Sequence, residues 1–202
     1  MTKFYLEEPT LKRKEQSREY IEEHFEYNSN INGSGGLDKG YQEYEQWLKS
    51  NELKKNQETC PENRCPGYTY FLMREEDDKI VGMINIRYNL NAAMLEHGGH
   101  IGYGIRPTER NKGYNKINLY LGLLKCREIG LDNVLLTASD NNPASYKTIL
   151  SLGGALENKI LDDEEDVMMG RYWIDVNKSL DMYKKEYIDY IKTEKSVDQK
   201  IN

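Results

Sequence analysis

Between Tyr103 and Asn115 the chain reads YGIRPTERNKGYN: a short strand stopped by Pro107, a polar turn, and the start of a helix. Such a turn aims several backbone N–H groups at one point, with the positive end of a helix dipole behind them. That is a site for an anion of pyrophosphate type. Gly113 lets a ligand approach the backbone where a side chain would block it, and Arg110 and Lys112 can add charge. The stretch is neither a GxxxxGKS/T phosphate loop nor a GxGxxG dinucleotide fingerprint.

A second group could move protons. His100 alternates with Gly102 and Gly104 onto one face of a strand, and an imidazole pKa of about 6.5 suits a general base. It reads equally as a core histidine. Glu96 acts directly, through a water, or as a solvated loop charge, and His97 reads as a loop residue. Cys60, Cys65 and Cys126 make an odd set, which argues against a disulfide framework. With only His24, His97 and His100 elsewhere, Cys60 and Cys65 lack two further zinc ligands, so TCPENRCPG reads as a proline-punctuated loop and no metal is expected.

The elements that must position these residues follow from periodicity. Lys3–Leu6 reads as a strand and Leu11–Tyr27 as a helix, followed by the flexible loop Asn28–Gly36 and a helix over Leu37–Leu53 with Tyr41, Tyr44, Trp47 and Leu48 on one stripe. That aromatic stripe reads first as core, second as a pocket wall. GYTYFLMRE and KIVGMINIRYN form a hairpin, and GGHIGYGIRP is a third strand. A helix spans Lys112–Ile129, and LDNVLLTAS is a strand buried on both faces. Asn142 caps a short helix to Leu152, with Pro143 in its first turn. Two more strands flank the acidic turn Asp162–Asp166, which reads as a solvated hairpin turn. The sum is a mixed α/β sheet over residues 1–177 with a helical tail over 178–202, which serves its own chain or bridges two copies in a homodimer.

The chain has 202 residues, 38% of them hydrophobic and 31% charged, which suits a globular domain. A formal net charge of −6 argues against nucleic acid as a partner and suits a cationic molecule such as an amine. Met1–Thr10 carries no secretory apolar core, and no apolar run reaches the roughly eighteen residues of a membrane span. The expectation is a cytoplasmic protein without a membrane partner.

The stretch Arg110-Asn111-Lys112-Gly113-Tyr114-Asn115 resembles motif A of the GNAT superfamily, the GCN5-related N-acetyltransferases, with Asn115 in place of that motif's final small residue. A second match lies at the family's spacing: Asn142, Ser145 and Gly153, with the buried strand Val134–Thr137 between the two motifs. The resemblance covers roughly residues 67–176. It implies a mostly antiparallel sheet of six to seven strands, splayed between the fourth and fifth. It implies acetyl-CoA as donor, its pantetheine against the backbone of Gly104, Ile105 and Arg106, its pyrophosphate on the amides of Arg110–Asn115, and Asn142 bonding the pantetheine or holding the second helix near it. The implied activity is acetyl transfer to a primary amine of a small molecule, with a protein acetyltransferase or an acyl-CoA-binding module as alternatives. The resemblance places a base at His100 or Glu96. Many relatives carry a tyrosine acid seven residues after the motif asparagine, where this chain has Ile149; Tyr146 and Ser145 are the substitutes at hand.

Overall fold

A computed structural model describes residues 1–162 and 166–192; residues 163–165 of the acidic turn and the tail from 193 lie outside the described residues. Among the described residues seven strands form two antiparallel sheets. The first runs in the order β1 (Phe4–Glu7), β2 (Gly67–Arg74), β3 (Lys79–Arg87), β4 (Ile101–Ile105). The second has β5 (Asn133–Ser139) at one side, β7 (Val167–Asp175) in the centre and β6 (Ala155–Asp162) at the other. The mixed, mostly antiparallel sheet with a break after the fourth strand is therefore present.

Helices cover both faces of the first sheet, which is why β2 and β3 carry unbroken apolar runs instead of alternating ones. On one face α1 (Lys14–Glu26), α2 (Leu37–Gly40) and α3 (Tyr44–Lys54) bring Tyr20, Ile21, Tyr44 and Trp47 onto Phe71, Met73 and Met83. On the other, α4 (Tyr114–Glu128) packs Ile117, Leu119 and Leu123 against Leu72, Ile84 and Ile86, joined by α5 (Pro143–Leu150) and α6 (Val176–Tyr187). The single helix expected over 37–53 is broken: Gly40 ends α2, and a 3-10 turn at Tyr41–Glu43 leads into α3. Glycine inside a helix costs about 1 kcal/mol relative to alanine, which favours the break there. The third strand is shorter than expected, because Gly99 adopts φ 71° and Pro107 opens a 3-10 turn; a π-helical turn, Met94–Gly98, precedes it.

The C-terminal helix lies on its own chain. The Tyr120 and Tyr187 rings stack at 4.8 Å, the Tyr120 hydroxyl donates to the Leu180 carbonyl at 3.3 Å, and the Lys192 N–H donates to the Phe4 carbonyl at 2.9 Å.

The loop between α1 and α2 crosses β4 in direct backbone contact. A Cβ on Gly33 would stand 2.7 Å from the Gly102 carbonyl oxygen, and one on Gly104 would stand 2.8 Å from the Asn32 carbonyl oxygen. Gly33 also has φ 74°, where an L side chain is strained. Gly33→Ala should therefore destabilise the protein by about 2 kcal/mol or more; a thermal midpoint equal to wild type would show that the loop does not sit there.

Candidate active site

The two sheets meet at His100. Its N–H donates to the Leu135 carbonyl at 2.7 Å, and its ring Nδ1 accepts the Leu135 N–H at 2.9 Å. Among the described residues no other backbone hydrogen bond joins the β4 segment to β5. Beyond this point the strands part, and hydrogen-bond parity shows which groups they leave open. Arg87 N–H bonds the His100 carbonyl and Arg106 N–H bonds the Val81 carbonyl, so in this antiparallel pair the even-numbered residues of the β4 segment face β3. Tyr103 and Ile105 consequently turn their N–H and C=O groups into the gap. On β5 the bonds at Asp132 and Asp140 fix the same parity toward β7, and Thr137 and Ser139 face the gap. Of the backbone expected to hold an arm of the donor, Ile105 is placed to do so. Gly104 is not, because its polar groups face β3, and neither is Arg106, whose N–H bonds the Val81 carbonyl and whose carbonyl accepts the Glu109 N–H; Tyr103, which the sequence did not single out, faces the gap as Ile105 does. The Ile105 carbonyl already accepts Arg110 Nε at 3.0 Å.

The gap leads into the turn before α4. Asn111 and Gly113 have φ 63° and 79°, which turns the chain sharply into the helix. No side chain caps α4, its first turn holds no carboxylate, and a Cβ on Gly113 would meet nothing within 4 Å. The first amides of a 15-residue helix are thus presented bare. The side chains expected to add charge are engaged elsewhere: Lys112 Nζ bonds Glu109 at 2.8 Å, and Arg110 bonds Ile105 and, at 2.6 Å, Ser29 Oγ. Glu109 is the anchor of the turn. Burial would raise its pKa, but Arg74 and Lys112 hold it down to about 2. Asn115 Oδ1 is buried without a hydrogen-bond partner, and Tyr114 packs its ring 4.7 Å from Phe4.

A cleft of about 1150 Å³ opens from the gap toward α3. One wall is the loop 30–36 with Gly40, Trp47 and Ser50; the other holds Tyr103, Ala138, Ser139 and Asn142. Of the aromatic stripe only Trp47 borders it; the Tyr44 hydroxyl is spent on the Thr10 carbonyl, and Tyr41 packs on Phe25. Asn142 caps α5, its Oδ1 accepting the Ser145 N–H at 3.1 Å. Between the two roles expected for it, this is the one that holds the helix.

The proton-transfer candidates are distributed differently from expectation. His100 does not border the cleft. As a neutral ring with Nδ1 accepting an amide, it carries its proton on Nε2 and has no free basic nitrogen, which argues against a role as base. His97 does border the cleft, with Glu96 3.7 Å from its Nε2. On α5, Ser145 faces β4: the Tyr103 hydroxyl lies 3.2 Å from both Ser145 Oγ and its carbonyl oxygen. Tyr146, one residue on, is turned by a helical step toward Lys159 and Tyr172 and does not border the cleft. Ile149 is fully buried. Burial pushes the Tyr103 hydroxyl pKa up, so it stays protonated. The signal for Tyr103 was its place on the strand between Gly102 and Gly104, but a partner on α5 has no trace in the sequence.

The model of the Acetyltransferase (GNAT) family matches residues 17–153. No curated protein matches the chain in sequence. Solved structures share its fold. A microcin C7 self-immunity acetyltransferase in complex with acetyl-CoA and AMP is 16% identical, covers 85% of this chain and 92% of its own, and has a TM-score of 0.62. Mutant forms of a spermidine/spermine N-acetyltransferase from Vibrio cholerae are 13% identical, with 89% and 98% coverage and a TM-score of 0.63. A ribosomal-protein-S5-alanine acetyltransferase from Vibrio fischeri is 13% identical, with 86% and 93% coverage and a TM-score of 0.66. At these identities the likeness is one of fold. No described helix is long and apolar enough to cross a membrane.

The clasp at His100 has a pH signature. Burial, its first cause, and the nearby Arg87 lower the pKa of the ring. The folded state therefore holds fewer protons than the unfolded chain, and the ring's contribution is full above the unfolded value of about 6.5 and lost as pH falls below it. His24, lowered mainly by burial, acts in the same direction. His100→Ala should cost about 1–3 kcal/mol at pH 7.5. His100→Asn, whose Oδ1 can accept the Leu135 amide, should cost less and flatten the loss of stability between pH 7.5 and 5. Chemical denaturation at both pH values checks this; an alanine variant as stable as wild type would remove the clasp.

Proposed function

Because the chain belongs to the GNAT acetyltransferase family, we propose that it moves an acetyl group from acetyl-CoA directly to a primary amine of a small molecule. The observation that carries this reading is one continuous path. Open backbone groups of Tyr103 and Ile105 line a gap that leads to the uncapped amides of α4. Amide-bearing and anionic parts of one extended donor fit that path. The N–H groups of Tyr103 and Ile105 would hold its pantetheine arm, and the amides of Asn111–Asn115 its pyrophosphate. Residues 30–50 wall the acceptor side of the cleft, which favours a small acceptor over a protein chain.

The acceptor ammonium must lose a proton. For a lysine-like amine this costs on the order of 4 kcal/mol at neutral pH. His97, the histidine that borders the cleft, takes that proton in this reading, with Glu96 beside it to stabilise the imidazolium. The amine nitrogen then bonds the thioester carbonyl carbon, and the C–S bond breaks with its electron pair on sulfur. A strand N–H of β4 polarises the carbonyl oxygen. The Tyr103 hydroxyl, held at Ser145, donates to the departing thiolate in place of the acid that Ile149 cannot supply.

Calorimetric titration with acetyl-CoA should give micromolar binding that disappears in Gly113→Glu, whose carboxylate blocks and repels the pyrophosphate. No binding by the folded wild type would end the transferase reading. With an acceptor in hand, His97→Gln should lower kcat/KM by about 100-fold. Tyr103→Phe should lower kcat while leaving acetyl-CoA affinity unchanged. Activities equal to wild type would send these protons to solvent.

A further inference from the structure

The acceptor end of the cleft has the opposite charge from the chain as a whole. The net charge is −6, yet among the described residues those bordering the cleft include Lys39, Lys54, Arg64 and Arg87 against one carboxylate, Glu43. None of these four cations forms an ion pair with a carboxylate among the described residues.

Arg87 stands apart from the other sheltered arginines. Arg13 is matched by Glu7 and Asp78, Arg74 by Asp77 and Glu109, and Arg106 by Glu23. Arg87 ends β3 without such a partner. One of its terminal nitrogens donates to the Gly99 carbonyl at 3.1 Å, and the other lies 3.8 Å from where a Cβ on Gly102 would stand. Lys54 approaches from α3, spending one donor on the Gly35 carbonyl at 2.9 Å. Burial and the neighbouring Arg64 and Arg87 lower its pKa, the mark of cations gathered without a counter-charge. A desolvated, uncompensated guanidinium is unfavourable in the empty protein; an anion that satisfies its planar donors removes the penalty.

We infer that the acceptor amine carries an anionic group, a carboxylate or a phosphate, that is bound by Arg87 and Lys54. This deepens the transferase reading above and rests on it. It reverses the expectation drawn from net charge alone, because a ligand in a cleft responds to the nearest charges first. A polyamine would meet like charges at this end. The same field has a chemical consequence: cations beside the acceptor ammonium lower its pKa, so more of it is present as the reactive free amine.

The full-length protein, with acetyl-CoA, is assayed for thiol release on matched pairs: lysine against cadaverine, leucine against leucinamide, and 2-aminoethyl phosphate against ethanolamine. The same compounds are titrated calorimetrically into the CoA-bound and free protein. The acidic member of at least one pair should be preferred by about tenfold or more, and the pair that shows it identifies carboxylate or phosphate as the anion. Arg87→Met should reduce that preference by roughly ten- to a hundredfold, with Arg87→Lys restoring part of it and acetyl-CoA affinity unchanged. Lys54→Met, at a half-buried position of α3, should erode the preference in the same direction and serves if Arg87→Met does not fold. Equal or better use of the uncharged or cationic members, or no binding or turnover of any acid in the millimolar range, overturns the inference. Loss of acetyl-CoA binding sinks the transferase reading instead, and the titrations without donor still report the anion preference.

Discussion

Two hydrogen bonds between His100 and Leu135 join the β4 segment to β5, and among the described residues no backbone hydrogen bond continues the pairing beyond them. Had β4 and β5 continued to pair, the polar groups of Tyr103, Ile105, Thr137 and Ser139 would have been consumed by each other. A buried backbone group without a partner is unfavourable, so strands that part after one contact leave groups that a ligand must satisfy. Gly99, at φ 71°, turns the chain so that His100 can reach across with both backbone and ring. The clasp and the opening are parts of one arrangement, and the imidazole serves it by remaining neutral.

The far end of the gap is held by charge. Glu109 gathers Arg74, Lys79 and Lys112, while Glu23 holds the Arg106 guanidinium together with the N–H and hydroxyl of Thr108. Burial opposes the ionisation of Glu23, and its partners bring its pKa below the usual carboxylate value. These pairs fix the turn from outside and leave the amides at the start of α4 as the donors that face the opening. The donors at this end are helix amides, and those beside Arg87 and Lys54 are side chains without a carboxylate partner among the described residues. The two ends present donors by different physics: one by backbone amides and a dipole, the other by a guanidinium and an ammonium.

Much of this was legible in the residues. Pro107 and Gly113 mark the turn, the runs in β2, β3 and β5 mark strands buried on both faces, and Asn142 with Pro143 marks the start of α5. These are local signals, each decided within a few residues by backbone sterics or capping. Gly40 could also have announced the break between α2 and α3. His100 shows the limit of such signals. Its place on the Gly102 and Gly104 face is local, but whether its Nδ1 is free depends on Leu135, 35 residues later in the chain.

The sequence by itself determined the order of the elements, the position of the turn before α4 and the family to which the chain belongs. Those follow from short-range periodicity and from which residues tolerate which backbone angles. Tertiary structure alone decided which groups face the gap, that His97 borders the cleft while His100 closes the vertex, that Tyr103 meets Ser145, and that Arg87 stands without a carboxylate among the described residues. Each depends on strand parity or on side chains distant in the sequence arriving at one place. A net charge is a sum over the whole chain, whereas the field a ligand meets is set by the few charges that folding leaves beside it.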